Sequence, residues 1–584
     1  MRPGAAPRLR RDWIALVIVA VAYLGVSLSV TNSYYQLMLT LVPIWAVMGL
    51  SWNLFSGYSG LTSFGHAAFF GVGAYTVTLA LVYWSLTPWL GIPLGMLVGA
   101  IAAFFIGTPT FRLRGHYFAL SMLAYPLAIM YIMEYLGFQE VSLPMHREHP
   151  FLYLQFTDPR LYTLLALAML VVALLASIVA ENSRFGLALL AIRQNELAAE
   201  AAGIDARTWK MRALIASGAM AAAAGGLYAC VLLVVTPDSV FGVLISAQAL
   251  VVTLFGGVAT VWGPVIGATI LIPLAESLNA ELGDIIPGIQ GVIYGLAIIV
   301  IMRLSPEGLF WTIRDRWFRA AARPVAPARA PPPPLPAVPS GTLLRVENLS
   351  RSFGGLRAVD GVSFSVEAGE ILGIIGPNGA GKTTLFNVLN GVITANAGTA
   401  RLAGVSMLGR KVHEVCRMGV GRTFQVVRSF QRLTLLDNVV VGGYGAGLSD
   451  EVAIAAAQAA LARVGLADLA GTVAGRLTNK QLRLMELARA RAGQPRILLL
   501  DETLAGLGRD ECNDVLDVLQ RLRAEGMTIV IIEHTMHAML RIADHFVVLD
   551  HGRVLASGKP RAVVEQDAVI EAYLGKKFLA RLHA

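Results

Sequence analysis

The stretch ILGIIGPNGAGKTTLFNVL, residues 371–389, opens with the apolar run Ile371, Leu372, Ile374 and Ile375. Such a run reads as a parallel strand buried on both faces. It breaks at Gly376, passes through Pro377-Asn378-Gly379-Ala380-Gly381 and resumes as a helix at Lys382-Thr383-Thr384. This spells G-x-x-x-x-G-K-[ST] in the strand–loop–helix setting that a phosphate loop requires. The glycines let the backbone turn its N–H groups inward, and the following helix aims its positive end at the same point. Lys382 adds a charge for the β- and γ-phosphates, and the Thr383 hydroxyl is placed to ligate magnesium. At average residue usage the pattern arises by chance in roughly a few per 100,000 windows. The stretch implies a nucleoside triphosphate site.

Composition bounds the rest of the chain. Of 584 residues 56% are hydrophobic and 15% charged, with a mean hydropathy of +0.63. Soluble domains carry about 25% charged residues, so much of this chain belongs in lipid. Lys and Arg outnumber Asp and Glu 47 to 38. No basic-aromatic cluster accompanies the excess, which reads as anchoring beside anionic lipid and not as nucleic-acid binding. Cys230, Cys416 and Cys512 are scattered at no metal-binding spacing. They point to a protein without disulfides whose soluble part faces a reducing compartment.

Arg2, Arg8, Arg10 and Arg11 precede an apolar run over 13–30. A cleaved signal peptide is the alternative, but no small-x-small site follows and further spans come at once. Apolar segments recur at 35–55, 67–84, 89–108, 117–136, 161–180, 213–235, 247–258, 265–278 and 286–302. This predicts about ten membrane helices, of which 247–258 and 265–278 are short for a bilayer of ~30 Å. Breaks are marked there by Gly256-Gly257 and Trp262-Gly263-Pro264. Basic residues follow the fourth segment (Arg112, Arg114), the sixth (Arg184, Arg193, Arg207, Lys210, Arg212) and the last (Arg303). With the N-terminus in the cytoplasm, all three groups fall on the cytoplasmic side. The small-residue run 221–226 reads as close helix packing. His146 and His149 read as part of a solvated loop.

Residues 187–203, LALLAIRQNELAAEAAG, are helix-forming but carry Arg193, Glu196 and Glu200. They predict a helix at the cytoplasmic face that docks on a partner. Residues 323–340, RPVAPARAPPPPLPAVPS, read as a semi-rigid extended spacer. Beyond it the pattern is α/β, with strands expected at 344–348, 362–366, 370–375, 497–500, 528–532 and 546–549. The organisation is thus a polytopic all-α membrane domain over 1–312, a linker over 313–342, and an α/β nucleotide-binding domain over 343–584.

Three further motifs bear on the phosphate loop. Gly421-Arg422-Thr423-Phe424-Gln425 presents a glutamine on a loop. The run ending in Asp501-Glu502 supplies a carboxylate for hydrated magnesium and another to polarise the attacking water. The run ending in Glu533-His534 offers a histidine able to sense the γ-phosphate. In this order and spacing they imply ATP hydrolysis.

This set resembles the ATP-binding cassette (ABC) domain, from Leu343 to Ala584. The resemblance implies that Phe353 stacks on adenine, that Gln425 is the Q-loop glutamine near metal and water, and that 505–507 form the D-loop. It makes His534 the switch histidine. The segments VIEAYLG (569–575) and GVGRTFQVVRSFQRLTLLDNVVVG (419–442) are similar to branched-chain amino acid transporter ATPases. In the first half, 50–76, 111–120, 183–204 and 256–268 resemble the permease of the same bacterial importers. The resemblance implies ATP and magnesium as cofactors. It also implies a second permease subunit, a second ATPase and a periplasmic substrate-binding protein as partners, with 187–203 as the coupling helix, at a bacterial inner membrane. Related importers carry urea, short amides or aromatic compounds instead.

One motif departs from the family. Its signature L-S-G-G-Q is replaced by Leu477-Thr478-Asn479-Lys480-Gln481, with both glycines gone. That predicts a partner ATPase with an intact signature. An exporter or a membrane-anchored regulatory ATPase is the rival reading. About ten spans, and loop motifs like those of importer permeases, argue against it.

Overall fold

The computed structural model describes residues 5–113, 115–146, 148–282, 288–305, 307–317, 325–328, 330–334 and 340–574. Arg2, the Arg8 side chain, Arg114, Gly575, residues 286–287 of the expected last span, and 318–324, 329 and 335–339 of the expected linker lie outside the described residues. The chain divides into two compact units. One joins Ala5–Arg193 to Arg207–Ala320, and the other joins Gln194–Ala206 to Ala321–Ala584.

The first unit is helical. Among the described residues nine helices are long and apolar enough to cross a membrane, and Gly291–Val300 is a shorter apolar helix. Of the two segments expected to be short, the first lies in Val243–Gly256, 14 residues that follow the short helix Pro237–Phe241 across a non-helical Gly242, and the second lies in Gly263–Leu282, 20 residues. At 1.5 Å per residue, the second reaches the ~30 Å of a hydrocarbon core, and the first does so only together with the helix before it. Polar residues lie along the first of these helices. Inside the fold these are satisfied: Ser246 Oγ accepts from Ala67 N at 2.9 Å, and Gln248 Nε2 donates to Tyr294 Oη at 2.8 Å. Between the two helices the chain turns at the expected glycines. A Cβ on Gly256 would sit 1.7 Å from the Gly263 carbonyl oxygen, an approach only glycine permits. Asn53 closes the turn, accepting from Ala259 N and donating to Thr260 O, each at 2.8 Å. The small-residue run packs as expected, bringing Ala206–Leu232 against His66–Trp84 until a Cβ on Gly225 would meet Phe70 O at 1.9 Å.

The single helix expected over 187–203 is two, Arg184–Gln194 and Glu196–Ala201. Asn195 breaks it by taking an extended backbone (φ −159°, ψ 101°), and its side chain accepts from Ala198 N. Asparagine favours such caps because its short side chain competes for backbone partners. The second helix belongs with the α/β unit.

That unit holds a six-stranded sheet in the order Arg553–Gly558, His545–Asp550, Ile371–Ile375, Thr528–Ile532, Ile497–Asp501, Val420–Arg422. All neighbours are parallel except the first pair. Every residue of Ile371–Ile375, Ile497–Asp501 and Thr528–Ile532 is buried, the continuous apolar signature of strands covered on both faces. A four-stranded antiparallel sheet, Leu356–Glu367, Thr342–Phe353, Ala397–Leu402, Val405–Ser406, shares a core with it around Leu344, Val346, Leu372, Phe386 and Leu499. The strands Ala397–Leu402, Val405–Ser406, Val420–Arg422 and Arg553–Gly558 were not expected from the pattern. Most are short or bury few side chains, so their pairing and not their hydrophobicity defines them. Within the expected linker 313–342, residues 313–317 belong to the helix Leu309–Trp317 and Thr342 opens a strand, while Ala326 and Ala328 are pinned to Gln458. Ala328 N donates to Gln458 Oε1 and Gln458 Nε2 to Ala326 O, both at 2.8 Å.

Candidate functional site

Five parallel strands of the large sheet deliver their carboxyl ends to one edge, where α/β folds bind ligands. After Ile371–Ile375 the chain turns through Gly376 at φ +152° and Gly381 at φ +96°. A Cβ on either would lie 2.1 Å from a carbonyl oxygen, of Leu549 or Ala358. Both positions therefore require glycine on space as well as conformation. The helix Lys382–Leu389 starts where the motif places it, with Gly381 as its N-cap. Lys382 Nζ donates to Gly376 O at 2.7 Å and Pro377 O at 2.9 Å. Burial holds its pKa below the usual lysine value, while the carboxylates of Glu502 and Asp501 pull it back up. The loop, its lysine and both acids thus share one electrostatic neighbourhood. Asn378 and Gly379 are exposed, and Thr383 and Thr384 half-buried.

Asp501 ends its strand fully buried, and burial raises its pKa against the pull of Arg422. Its Oδ2 lies 3.6 Å from Arg422 Nη2, and its Oδ1 has no hydrogen-bond partner among the described residues. Glu502 follows in a left-handed backbone, φ +47°, uncommon for a residue with a side chain and typical of functional turns. Gln425 Nε2 donates to Glu502 Oε2 at 2.8 Å. The structure therefore joins two sequence-predicted residues 77 positions apart. His534 follows Thr528–Ile532 with an exposed ring that makes no hydrogen bond to Glu502 among the described residues. Phe353 ends its strand exposed, with the Arg351 guanidinium 4.7 Å above its ring. The arrangement can cradle phosphates and set a carboxylate beside an attacking water.

Comparison with known proteins bears on both halves of the chain. Residues 34–302 match a family described as the permease component of the branched-chain amino acid transport system. Residues 359–505 match ABC transporter, and 553–578 match branched-chain amino acid ATP-binding cassette transporter. BraF of Pseudomonas aeruginosa, a high-affinity branched-chain amino acid transport ATP-binding protein, is 40% identical over 253 residues, 41% of this chain and 99% of BraF. The chain belongs to the ABC transporters of branched-chain amino acid type. Escherichia coli LivG, with the same description, is 38% identical over 253 residues, again 41% of this chain and 99% of LivG. A nucleotide-free ATP-binding cassette from an ABC transporter aligns at 31% identity and TM-score 0.38, covering 40% of this chain and all of that one. This ABC transporter chain joins permease and ATPase and is embedded in a membrane.

Within the transporter's ATPase, Leu477 leads into the residues expected to form the signature. Thr478 caps the helix Asn479–Ala492 in a reciprocal box with Gln481. Asn479 Nδ2 donates to Gly506 O at 3.2 Å, and Lys480 is ion-paired to Asp514. The side chains of Asn479 and Lys480 are thus engaged with the Gly506 turn and the helix Arg509–Ala524. Of the proposed coupling residues, Glu196 and Glu200 lie in the segment Gln194–Ala206, which packs with the ATPase, whereas Arg193 groups with the helical unit. That segment meets the ATPase at Arg428 Nη1 to Asn195 Oδ1 (3.3 Å), Arg432 N to Gln194 Oε1 (3.0 Å), and His413 against Asp205 (3.9 Å).

Two buried acids carried no assigned role in the sequence pattern. Glu486 is buried on the signature helix and accepts from Arg428 N at 2.8 Å and Arg489 Nη2 at 3.3 Å. Glu533 is also buried. Its Oε1 accepts from Leu504 N at 2.7 Å, and burial pushes its carboxyl up to about 7. The available signal was weak: acidic and basic side chains at helical spacing ordinarily form a solvated face.

Proposed function

We propose that this chain drives the ATP-dependent import of branched-chain or related hydrophobic amino acids across a bacterial inner membrane. The supporting observation is that one chain joins a permease match over 34–302 to an ATPase similar to branched-chain amino acid transport ATP-binding proteins. In this reading 1–312 is the permease, 313–342 the linker and 343–584 the ATPase, with the N-terminus and ATPase in the cytoplasm. Phe353 stacks on adenine, and Gly376 through Thr384 hold the phosphates, with Lys382 supplying charge. Glu502 polarises the attacking water, held by Gln425, and His534 senses the γ-phosphate.

The donors fit magnesium, a hard cation that takes oxygen ligands. Asp501 Oδ1 is a buried oxygen without a partner among the described residues, and Thr383 and Gln425 complete the proposed set. Bound magnesium supplies neutralisation of the phosphate charge. Arg193, Glu196 and Glu200 carry motion between ATPase and pathway, helped by the contacts of Gln194–Ala206 described above. Asn479 and Lys480 stand where two glycines normally offer backbone N–H groups, so a second ATPase with an intact signature completes the site. A second permease subunit and a periplasmic binding protein complete the transporter.

The test is uptake into vesicles containing the chain, its partner subunits and the binding protein. ATP-dependent entry of leucine, isoleucine or valine is expected. Entry of urea, acetamide or benzoate in their place overturns the substrate, and outward movement overturns the direction.

A further inference from the structure

Arg422 is the last residue of the strand Val420–Arg422, which pairs in parallel with Ile497–Asp501. Its side chain is 2% exposed, and that of Asp501 is 1% exposed. One nitrogen, Nη2, serves two partners. It donates to Asn387 Oδ1 at 2.7 Å, on the helix that follows the phosphate loop, and lies 3.6 Å from Asp501 Oδ2. The guanidinium also sits 5.0 Å over the ring of Phe424, the neighbour of Gln425. A single cation thus touches the phosphate-loop helix, the strand ending in Asp501 and the loop carrying Gln425. Nε and Nη1 have no hydrogen-bond partner among the described residues, so the burial is incompletely compensated. A buried ion pair of this kind is weak evidence for stability, because well-packed apolar groups of similar volume commonly do as well.

The partners of Asp501 show what the arginine achieves. Its backbone N donates to Thr423 Oγ1 at 3.3 Å, fixing the end of the strand. Arg422 faces Oδ2, while Oδ1 is left without a protein partner among the described residues. We propose that Arg422 is a positioning residue that engages Oδ2 of Asp501 and so presents Oδ1 to the cation of the bound nucleotide, with Asn387 holding the guanidinium in place. The proposal rests on reading Asp501 as the magnesium-holding carboxylate. A lysine does not reproduce this placement, since its ammonium sits on a flexible stem and is not held where Nη2 meets both Asn387 and Asp501. Partners behind a metal ligand typically contribute 10–100-fold to metal affinity.

The experiment measures binding of Mn²⁺ to the purified full-length chain by electron paramagnetic resonance, with a non-hydrolysable ATP analogue present. Affinity for a fluorescent ATP analogue without metal is measured alongside. Arg422→Met and Arg422→Lys should weaken Mn²⁺ about tenfold or more and leave metal-free nucleotide affinity near the parental value. Asn387→Ala should shift Mn²⁺ affinity in the same direction without touching the core ion pair, which keeps the proposal testable if an arginine variant folds poorly. Asp501→Asn should lose Mn²⁺ most completely. Parental Mn²⁺ affinity in both arginine variants, with Asp501→Asn impaired, overturns the role of Arg422. Parental Mn²⁺ affinity in Asp501→Asn overturns instead the reading of Asp501 on which it rests. Loss of metal-free nucleotide affinity in step with Mn²⁺ makes Arg422 a structural residue and overturns the proposal.

Discussion

Gly445→Ala should separate ATP hydrolysis from transport. Gly445 ends the helix Leu435–Gly445, where alanine is favoured over glycine by roughly 1 kcal/mol, so the ATPase itself has no local reason to suffer. The obstacle comes from the segment 194–206: a Cβ on Gly445 would lie 1.6 Å from Ala202 O and 2.7 Å from Gly203 Cα. Reaching an ordinary contact of 3.4 Å requires a shift of about 1.8 Å (3.4 − 1.6) between two backbones. Hydrogen bonds of 3.0 and 3.3 Å, from Arg432 N to Gln194 and from Arg428 to Asn195, do not survive such a shift. At about 0.5–1.5 kcal/mol each, their loss weakens docking of the segment by about 2 kcal/mol, or roughly thirtyfold in the docked population at 1.4 kcal/mol per tenfold. The assay is substrate imported per ATP hydrolysed in reconstituted vesicles, with nucleotide affinity measured in parallel. The ratio should fall at least severalfold while nucleotide affinity holds. A parental ratio would refute the claim that this contact transmits the nucleotide cycle.

Glu502→Gln should retain ATP while turnover falls by two orders of magnitude or more, within the ~10²–10⁴ of a positioned general base; hydrolysis at the parental rate sinks that assignment. Lys382→Ala should weaken both nucleotide binding and turnover, read by titration and phosphate release. Arg193→Ala with Glu196→Ala should spare ATP binding but lower transport per ATP, and parental coupling in vesicles would count against both residues. The chain alone should hydrolyse ATP poorly and gain activity with a partner ATPase bearing an ordinary signature; robust, transport-linked hydrolysis by the chain alone defeats the heteromeric arrangement. Glu533→Gln should change how stability responds to pH. Because burial raises the folded carboxyl to about 7, its stabilising contribution is full below the ordinary carboxylate range and is lost as pH rises through 7. The advantage of the glutamine variant in thermal melts should therefore grow between pH 5 and 8, by on the order of 1–3 kcal/mol at about 1.4 kcal/mol per pKa unit, and a constant offset would contradict this.

The phosphate loop was legible because its requirements are local. Positive φ at Gly376 and Gly381, and a helix beginning at Lys382, follow from residues adjacent in sequence. The apolar spans were legible for a similar reason, since hydrocarbon demands about 20 apolar residues in a row whatever their neighbours. The polar residues Ser246 and Gln248 are accommodated in their helix by Ala67 and Tyr294, partners far along the chain that the pattern could not name.

Other features were decided only by tertiary structure. Nothing near Arg422 in sequence announces that it meets Asn387 and Asp501, 35 and 79 positions away (422 − 387 and 501 − 422). Nothing in the helix Asn479–Ala492 marks Glu486 and Arg489 as buried. The residues 187–203 gave one helix by pattern. Capping by Asn195 made two, and packing assigned the second to the ATPase unit. The cap at Asn195 is a local cue, whereas the buried charges share one physical reason. Periodicity and turn chemistry act through bonds and one or two helical turns, whereas the burial of a charge is fixed by which distant groups arrive to compensate it.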